Sequence, residues 1–303
     1  NKPAAAQPST GSSTASNLLA ELNPEQQEAV LASEPAIAVI AGPGTGKTKT
    51  LISRIAYLVE HQGVNPSEIT AVTFTNKAAG EMKERLDAHF HSKQITRAMT
   101  IGTFHSICLQ FLSNQLEAVT LVDEYESLDI AKEVLLSCDL SLSPRQFLRA
   151  ISTWKCHMER EAPSELMDAF LLYQQRLSQI GALDFDDLLI KAWEGWQKES
   201  LPFDGFAYLC VDEFQDINEI QYQLIRSWSR HCKGLFVIGD PDQSIYGFRG
   251  SDSRCFSRLT DDFPSLRLIR LLQNYRSTPE ILYSALPMIS QNEGPIRELR
   301  PWK

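Results

Sequence analysis

Short apolar runs recur along the chain at 36–40, 69–74, 206–211 and 234–239, and each gives way to a turn rich in Gly, Asp, Asn or Thr. Their length and composition predict buried strands, and helix-period stretches such as 47–60 and the one running through Phe90 predict crossover helices. A smaller edge of the same kind stands at Thr100-Ile-Gly-Thr-Phe-His-Ser106, where another helix opens. Strand, turn and helix in repetition predict an α/β fold: a three-layer parallel sheet with helices on both faces. Ahead of the first run, Leu22-Asn-Pro-Glu-Gln-Gln-Glu-Ala-Val30 reads as an Asn-capped helix with Pro24 in its first turn.

Between 114 and 180 the pattern changes. Helical periodicity over 124–136, 144–161 and 163–179, without clear strands, predicts an all-helical insertion. Its Arg145, Arg149, Lys155 and Arg160 fall at irregular spacing and are expected on a solvated face. Asp184-Phe-Asp-Asp-Leu188 returns the chain to the sheet, so that domain is expected in two parts, 18–113 and 181–270. Residues 1–17 are mostly Ser, Thr, Ala and Pro, the composition of a disordered linker. The chain opens on Asn rather than Met, and we expect a piece of a longer polypeptide.

Composition narrows the classes. At 303 residues, with 43% apolar and 22% charged, the chain is ordinary for a globular protein. No apolar run approaches the ~20 residues of a membrane span, and no signal peptide is recognisable, so no membrane contact and a cytoplasmic location are expected. The six cysteines are scattered without a C-x-x-C pair, which argues against a zinc or iron–sulfur site. A net charge of −9 argues against binding nucleic acid by bulk electrostatics. Any such contact has to be local, in a groove with aromatic platforms and a few donors.

The candidate chemistry sits at the ends of the predicted strands. Ala41-Gly-Pro-Gly-Thr-Gly-Lys-Thr48 follows the first run and opens a helix, the context of a phosphate-binding loop. Gly42, Gly44 and Gly46 are expected to let the backbone turn around phosphates, Lys47 to reach the β- and γ-phosphates, and Thr48 to enter a magnesium shell. Thr45 and Thr50 belong to the same ATP-binding set. The Gln26 amide suits the N6 and N7 edge of adenine, and Arg54, on the following helix, suits the base or its sugar, though a surface charge is the alternative. The strand 206–211 delivers Asp212-Glu-Phe-Gln-Asp216, where Asp212 suits magnesium and Glu213 suits polarising a water. After 234–239, Gln243 suits the γ-phosphate or the water, while Tyr246 and Phe248 offer faces for stacking bases. Phe74, Thr75, Asn76 and Lys77, with Thr103, His105 and Ser106, stand at strand tips where ligands collect. Tyr275 suits stacking on adenine and Arg276 an arginine finger.

Taken in order, Leu22-Asn-Pro-x-Gln26, the Gly-Lys47-Thr48 loop, Thr73-Phe-Thr-Asn-Lys-Ala-Ala79, Thr103-Phe-His-Ser106, Asp184-Phe-Asp-Asp-Leu188, Asp212-Glu-Phe-Gln-Asp216, Gly239-Asp-x-Asp-Gln-Ser-Ile-Tyr246 and Gln273-Asn-Tyr-Arg-Ser-Thr278 resemble the UvrD/Rep family of superfamily 1 DNA helicases. The resemblance implies a RecA-like P-loop domain carrying a helical insertion, with 271–303 beginning a second motor lobe. It implies an ATP-dependent, 3′-to-5′ helicase or translocase that uses magnesium and binds single-stranded DNA or a single-strand/duplex junction. Catalysis would fall to Lys47, Asp212, Glu213, Gln243 and Arg276, metal binding to Thr48 and Asp212, and adenine to Gln26 and Tyr275. The strand track would include Phe74, Asn76, Thr103, His105, Tyr246 and Phe248. Phe214 and Phe248 replace the Tyr and Trp of many relatives, and the family's later motifs have no counterpart before Lys303. A helicase–nuclease or other fusion, and an ATP- and strand-binding module without unwinding, remain open alternatives.

Overall fold

The apolar runs become the strands of one sheet in a computed structural model, which describes residues 18–115, 119–157, 165–198, 204–244, 255–289 and 299–302. These strands are β1 (Ala36–Ala41), β2 (Ile69–Thr73), β3 (Thr100–Thr103), β4 (Tyr208–Val211), β5 (Gly234–Gly239) and β6 (Arg267–Leu271). All neighbours run parallel, in the order β3-β2-β4-β5-β1-β6. Val72 pairs with Val211, Val211 with Val237, and Ile40 with both Gly239 and Arg270. The register brings the carboxyl ends of these strands to one edge, where the crevice of an open α/β sheet lies.

Alternation along each strand sorts side chains to two faces. Ala38, Val72, Leu209, Val211 and Val237 pack beneath α4 (Phe104–Gln115), α8 (Phe185–Lys198) and α9 (Glu219–Ser229). Ile37, Val39, Ala71, Cys210 and Ile238 pack beneath α1 (Pro24–Leu31), α2 (Lys47–Glu60) and α3 (Asn76–Phe90). The result is the expected three layers, an α/β parallel-sheet domain.

Strand β6 was not anticipated. In Arg-Leu-Ile-Arg-Leu only Ile269 and Leu271 are buried, as befits an edge strand, and Arg267 pairs with Glu28 across 2.7 Å. An apolar run is the wrong signal for a strand with one solvated face.

The insertion has a core of its own. Helices α5 (Glu124–Ser137), α6 (Pro144–His157) and α7 (Met167–Gln179) bury Ala131, Val134, Phe147, Phe170, Tyr173 and Leu177 against one another. A two-residue parallel pairing of Thr120–Leu121 with Ala182–Leu183 closes its base. Lys155 corrects the expected solvated face: it is buried on α6, with Nζ 2.6 Å from Asp184 Oδ2 and 2.9 Å from Asp187 Oδ1. Arg145 and Arg149 are exposed, and Arg160 lies outside the described residues. The last described helix, α10, spans Pro279–Ile289. No helix among the described residues is long and apolar enough to cross a membrane.

Candidate active site

The loop between β1 and α2 turns through two left-handed glycines, Gly44 at φ +69° and Gly46 at φ +87°. Gly42 needs no such conformation. Its missing Cβ instead admits the Leu299 side chain. Gly46 is the N-cap of α2 and supplies no side-chain cap, so the helix opens with N–H groups left for an anion. Thr45 and Thr50 are fully buried and brace the loop, with Thr45 Oγ1 donating to Gly42 O at 2.7 Å and Thr50 Oγ1 to Gly46 O at 3.0 Å. Lys47 Nζ rests 3.4 Å from Ala41 O, and Thr48 is half-buried beside it.

Gln26 reaches the same loop. Its Nε2 donates to Thr45 O at 2.9 Å, and its Oε1 accepts from the Asn23 N–H at 3.1 Å in a reciprocal capping box. One amide N–H and one acceptor lone pair remain for a base edge. Arg54 departs from the surface-charge alternative held for it. It is buried, Nη1 donates to Val30 O and Ala32 O at 2.6 and 2.8 Å, and the guanidinium lies over the Phe236 ring. It caps the end of α1 and is not a surface charge.

Across the crevice, β4 ends in Asp212, whose N–H continues the ladder to Val72 O. Burial, and then the neighbouring Glu213 charge, push the Asp212 carboxyl up to about 6. Glu213 sits in the left-handed region at φ +48°, a conformation costly for a non-glycine residue and concentrated at functional sites. Asp216 is also pushed up to about 6, again by burial first, and its Oδ1 has no hydrogen-bond partner among the described residues. Lys47 is the cation that lowers Asp212, Asp216 and Asp240 alike, which places the loop lysine within electrostatic reach of both strand tips.

At the end of β5, Asp240 caps the turn Pro241–Gln243 and accepts from Gln243 Nε2 at 2.6 Å. Gln215 and Asp240 received no role from the sequence, yet both are buried in this site. Their signal was faint: each is a polar residue next to the end of an apolar strand. The segment after β6 folds back onto the phosphate loop. Tyr275 N–H donates to Gly44 O at 2.8 Å, Asn274 Nδ2 donates to Pro43 O at 2.6 Å, and Asn274 Oδ1 accepts from the Arg276 N–H at 2.9 Å. Gly44 is needed for this approach, since a Cβ there would strike Arg276 Cβ. The Tyr275 hydroxyl accepts from Asn23 Nδ2 at 2.8 Å, so Tyr275 and Gln26 flank one corner of the loop.

A cavity of about 610 Å³ opens on the other side of the 212–216 segment. Phe74, Thr75, Thr103, Phe104 and His105 line one wall. Arg149, Ser152, Thr153 and Cys156 of the insertion line another, and Asp186, Asp216, Asn218 and Gln221 complete it. Burial holds the His105 imidazole below its usual value. Asn76 and Lys77 are exposed on the first turn of α3 and lie outside this lining, with Lys77 3.9 Å from Glu81. Tyr246 and Phe248 fall outside the described residues. The insertion's share of the wall was missed because helical spacing alone does not show which face meets a distant loop.

Residues 22–264 match the family model described as the UvrD/REP helicase N-terminal domain. The chain is similar to the ATP-dependent DNA helicase PcrA of Staphylococcus epidermidis, 37% identical over a 298-residue alignment that covers 91% of this chain and 41% of the relative. It is similar also to the ATP-dependent DNA helicase PcrA of Staphylococcus aureus, at 36% identity, with 91% and 40% covered. The chain thus spans about two fifths of the length of these relatives.

Proposed function

The chain belongs to the family of UvrD/REP helicase N-terminal domains, and we propose on that footing that it is the first motor lobe of an ATP-driven DNA helicase or translocase. The observation that carries the reading is a convergence. The phosphate loop, the β4 and β5 tips and the Tyr275–Arg276 turn meet at one sheet edge, and the aromatic cavity lies across the 212–216 segment from them. The PcrA relatives are ATP-dependent DNA helicases, which supports single-stranded DNA or a junction as the ligand of that cavity. The 3′-to-5′ direction is carried over from the family resemblance. Residues 18–113 and 181–270 would form the lobe and 114–180 its insertion, with a second lobe beginning near 271. A DNA substrate supports an intracellular location.

In this mechanism the loop N–H groups and Lys47 bind the phosphates, while Gln26 and Tyr275 hold the adenine between them. Thr48 and Asp212 would hold magnesium; a carboxyl raised by burial and then by a neighbouring charge suits a site that takes a cation. The chemistry supplied by a magnesium ion held there would be neutralisation of phosphate charge. Glu213 orients the attacking water and takes its proton, Gln243 contacts the γ-phosphate, and Arg276 neutralises charge in the transition state. Phe74 stacks a base, with Thr75, Thr103 and His105 beside it, and Asn76 and Lys77 meet the strand at the rim.

Steady-state ATP hydrolysis with and without single-stranded DNA tests this reading. Strand-stimulated turnover is expected, reduced about 10²–10³-fold in both Lys47→Ala and Glu213→Gln. Undiminished turnover in either variant would refute its assigned role.

A further inference from the structure

Gln215 is 2% exposed and lies inside the Asp212–Asp216 segment, where none of the roles above requires a glutamine. Its amide joins three parts of the site. Nε2 donates to Glu213 Oε2 at 2.8 Å and reaches Asp216 Oδ2 at 3.4 Å. Oε1 accepts from the Asp240 N–H at 2.8 Å, and Asp240 is the residue that holds the Gln243 amide. The Gln215 carbonyl accepts from Ser244 Oγ at 3.2 Å, beyond that same turn. Room for the side chain comes from Gly239, where any Cβ would collide with Oε1. A buried amide is retained only where its polar atoms are satisfied, and each partner here belongs either to the hydrolysis site or to the cavity wall.

We propose that Gln215 is a positioning residue that aims the Glu213 carboxylate at the attacking water and links that aim to the strand cavity through Asp216. The inference rests on the reading of Glu213 as the base. Glu213 hangs from a strained left-handed backbone with its side chain free to swing about its own torsions, and the amide fixes one carboxylate oxygen. The amide plane is in turn set by the β5 tip. Asp216 faces the same Nε2, whose two N–H groups move together with the amide plane, so a strand that shifts Asp216 re-orients the donation that Glu213 receives. A difference of this kind between strand-bound and strand-free states is what coupling between two sites requires.

The test compares Gln215→Met, which removes donor and acceptor at similar length, with Gln215→Glu, which keeps the acceptor to Asp240 and loses the N–H groups. On the full chain, kcat and KM for ATP are measured with and without a thymidine oligonucleotide, alongside the oligonucleotide Kd. Both variants are expected to lose about 10- to 100-fold in strand-stimulated kcat, with KM and Kd within about threefold of wild type and a stimulation ratio falling toward one. Wild-type kcat and stimulation in either variant would overturn the proposal, as would loss of nucleotide binding in both, which marks a residue needed only for folding. Glu213→Gln separates the two levels. If it retains turnover, the reading of the base fails; if it is inactive while Gln215→Glu is normal, only the inference fails.

Discussion

Two acidic clusters in this fold are built in opposite ways. Asp184 and Asp187, at the return from the insertion, close on the buried Lys155 at 2.6 and 2.9 Å and fasten α6 to α8. Asp212, Glu213 and Asp216 form no ion pair among the described residues; their carboxyls take backbone and amide donors and share only the more distant field of Lys47. The first cluster carries its own counter-charge and is finished as a latch. The second keeps its charge for something that arrives. Family motifs run through both, Asp184-Phe-Asp-Asp-Leu188 and Asp212-Glu-Phe-Gln-Asp216, so motif membership by itself does not separate structural from chemical carboxylates.

The contrast is broken most forcefully at the latch. Lys155→Ala leaves two buried carboxylates without their cation, and a loss of about 3–5 kcal/mol in unfolding free energy is expected. Urea unfolding of the variant measures it; a loss below about 1 kcal/mol would mean that the pair is no more than a surface contact. A smaller effect belongs to the cavity that the latch helps to shape. Phe74→Ala is expected to weaken single-strand binding by about 1–3 kcal/mol from lost stacking, read by fluorescence titration. Unchanged affinity would remove Phe74 from the strand track.

How far the sequence reached follows the same division. Strands β1, β2, β4 and β5 were legible because both of their faces are buried, and a short apolar run ending in a turn of Gly, Asp, Asn or Thr has few other meanings. The phosphate loop was legible because strand, glycines, lysine and helix lie within one stretch of chain. Residues whose role depends on distant partners were not. Lys155 meets Asp184 across 29 positions, Arg54 meets Val30 across 24, and Asp240 meets Gln215 across 25. A lysine on an amphipathic helix carries no mark of which carboxylate will face it, and an arginine after a phosphate loop looks the same whether it serves a nucleotide or a helix end.

The claim that Asp212 is kept open for a cation yields a stability measurement with a definite sign. Its folded carboxyl titrates at about 6 against an ordinary 3.8, so between those values the folded state binds the extra proton. Stability from this group is therefore gained as pH falls through 6 and withdrawn as pH rises. Thermal unfolding of metal-free wild type and Asp212→Asn at about pH 7.5 and about pH 4, with magnesium–ATP added in a second series at the higher pH, tests this directly. Asp212→Asn is expected to be more stable by about 1–3 kcal/mol at the higher pH, to lose that advantage at the lower, and to show little stabilisation by magnesium–ATP. A variant that is less stable than wild type at the higher pH, yet fully stabilised by magnesium–ATP, would contradict the account.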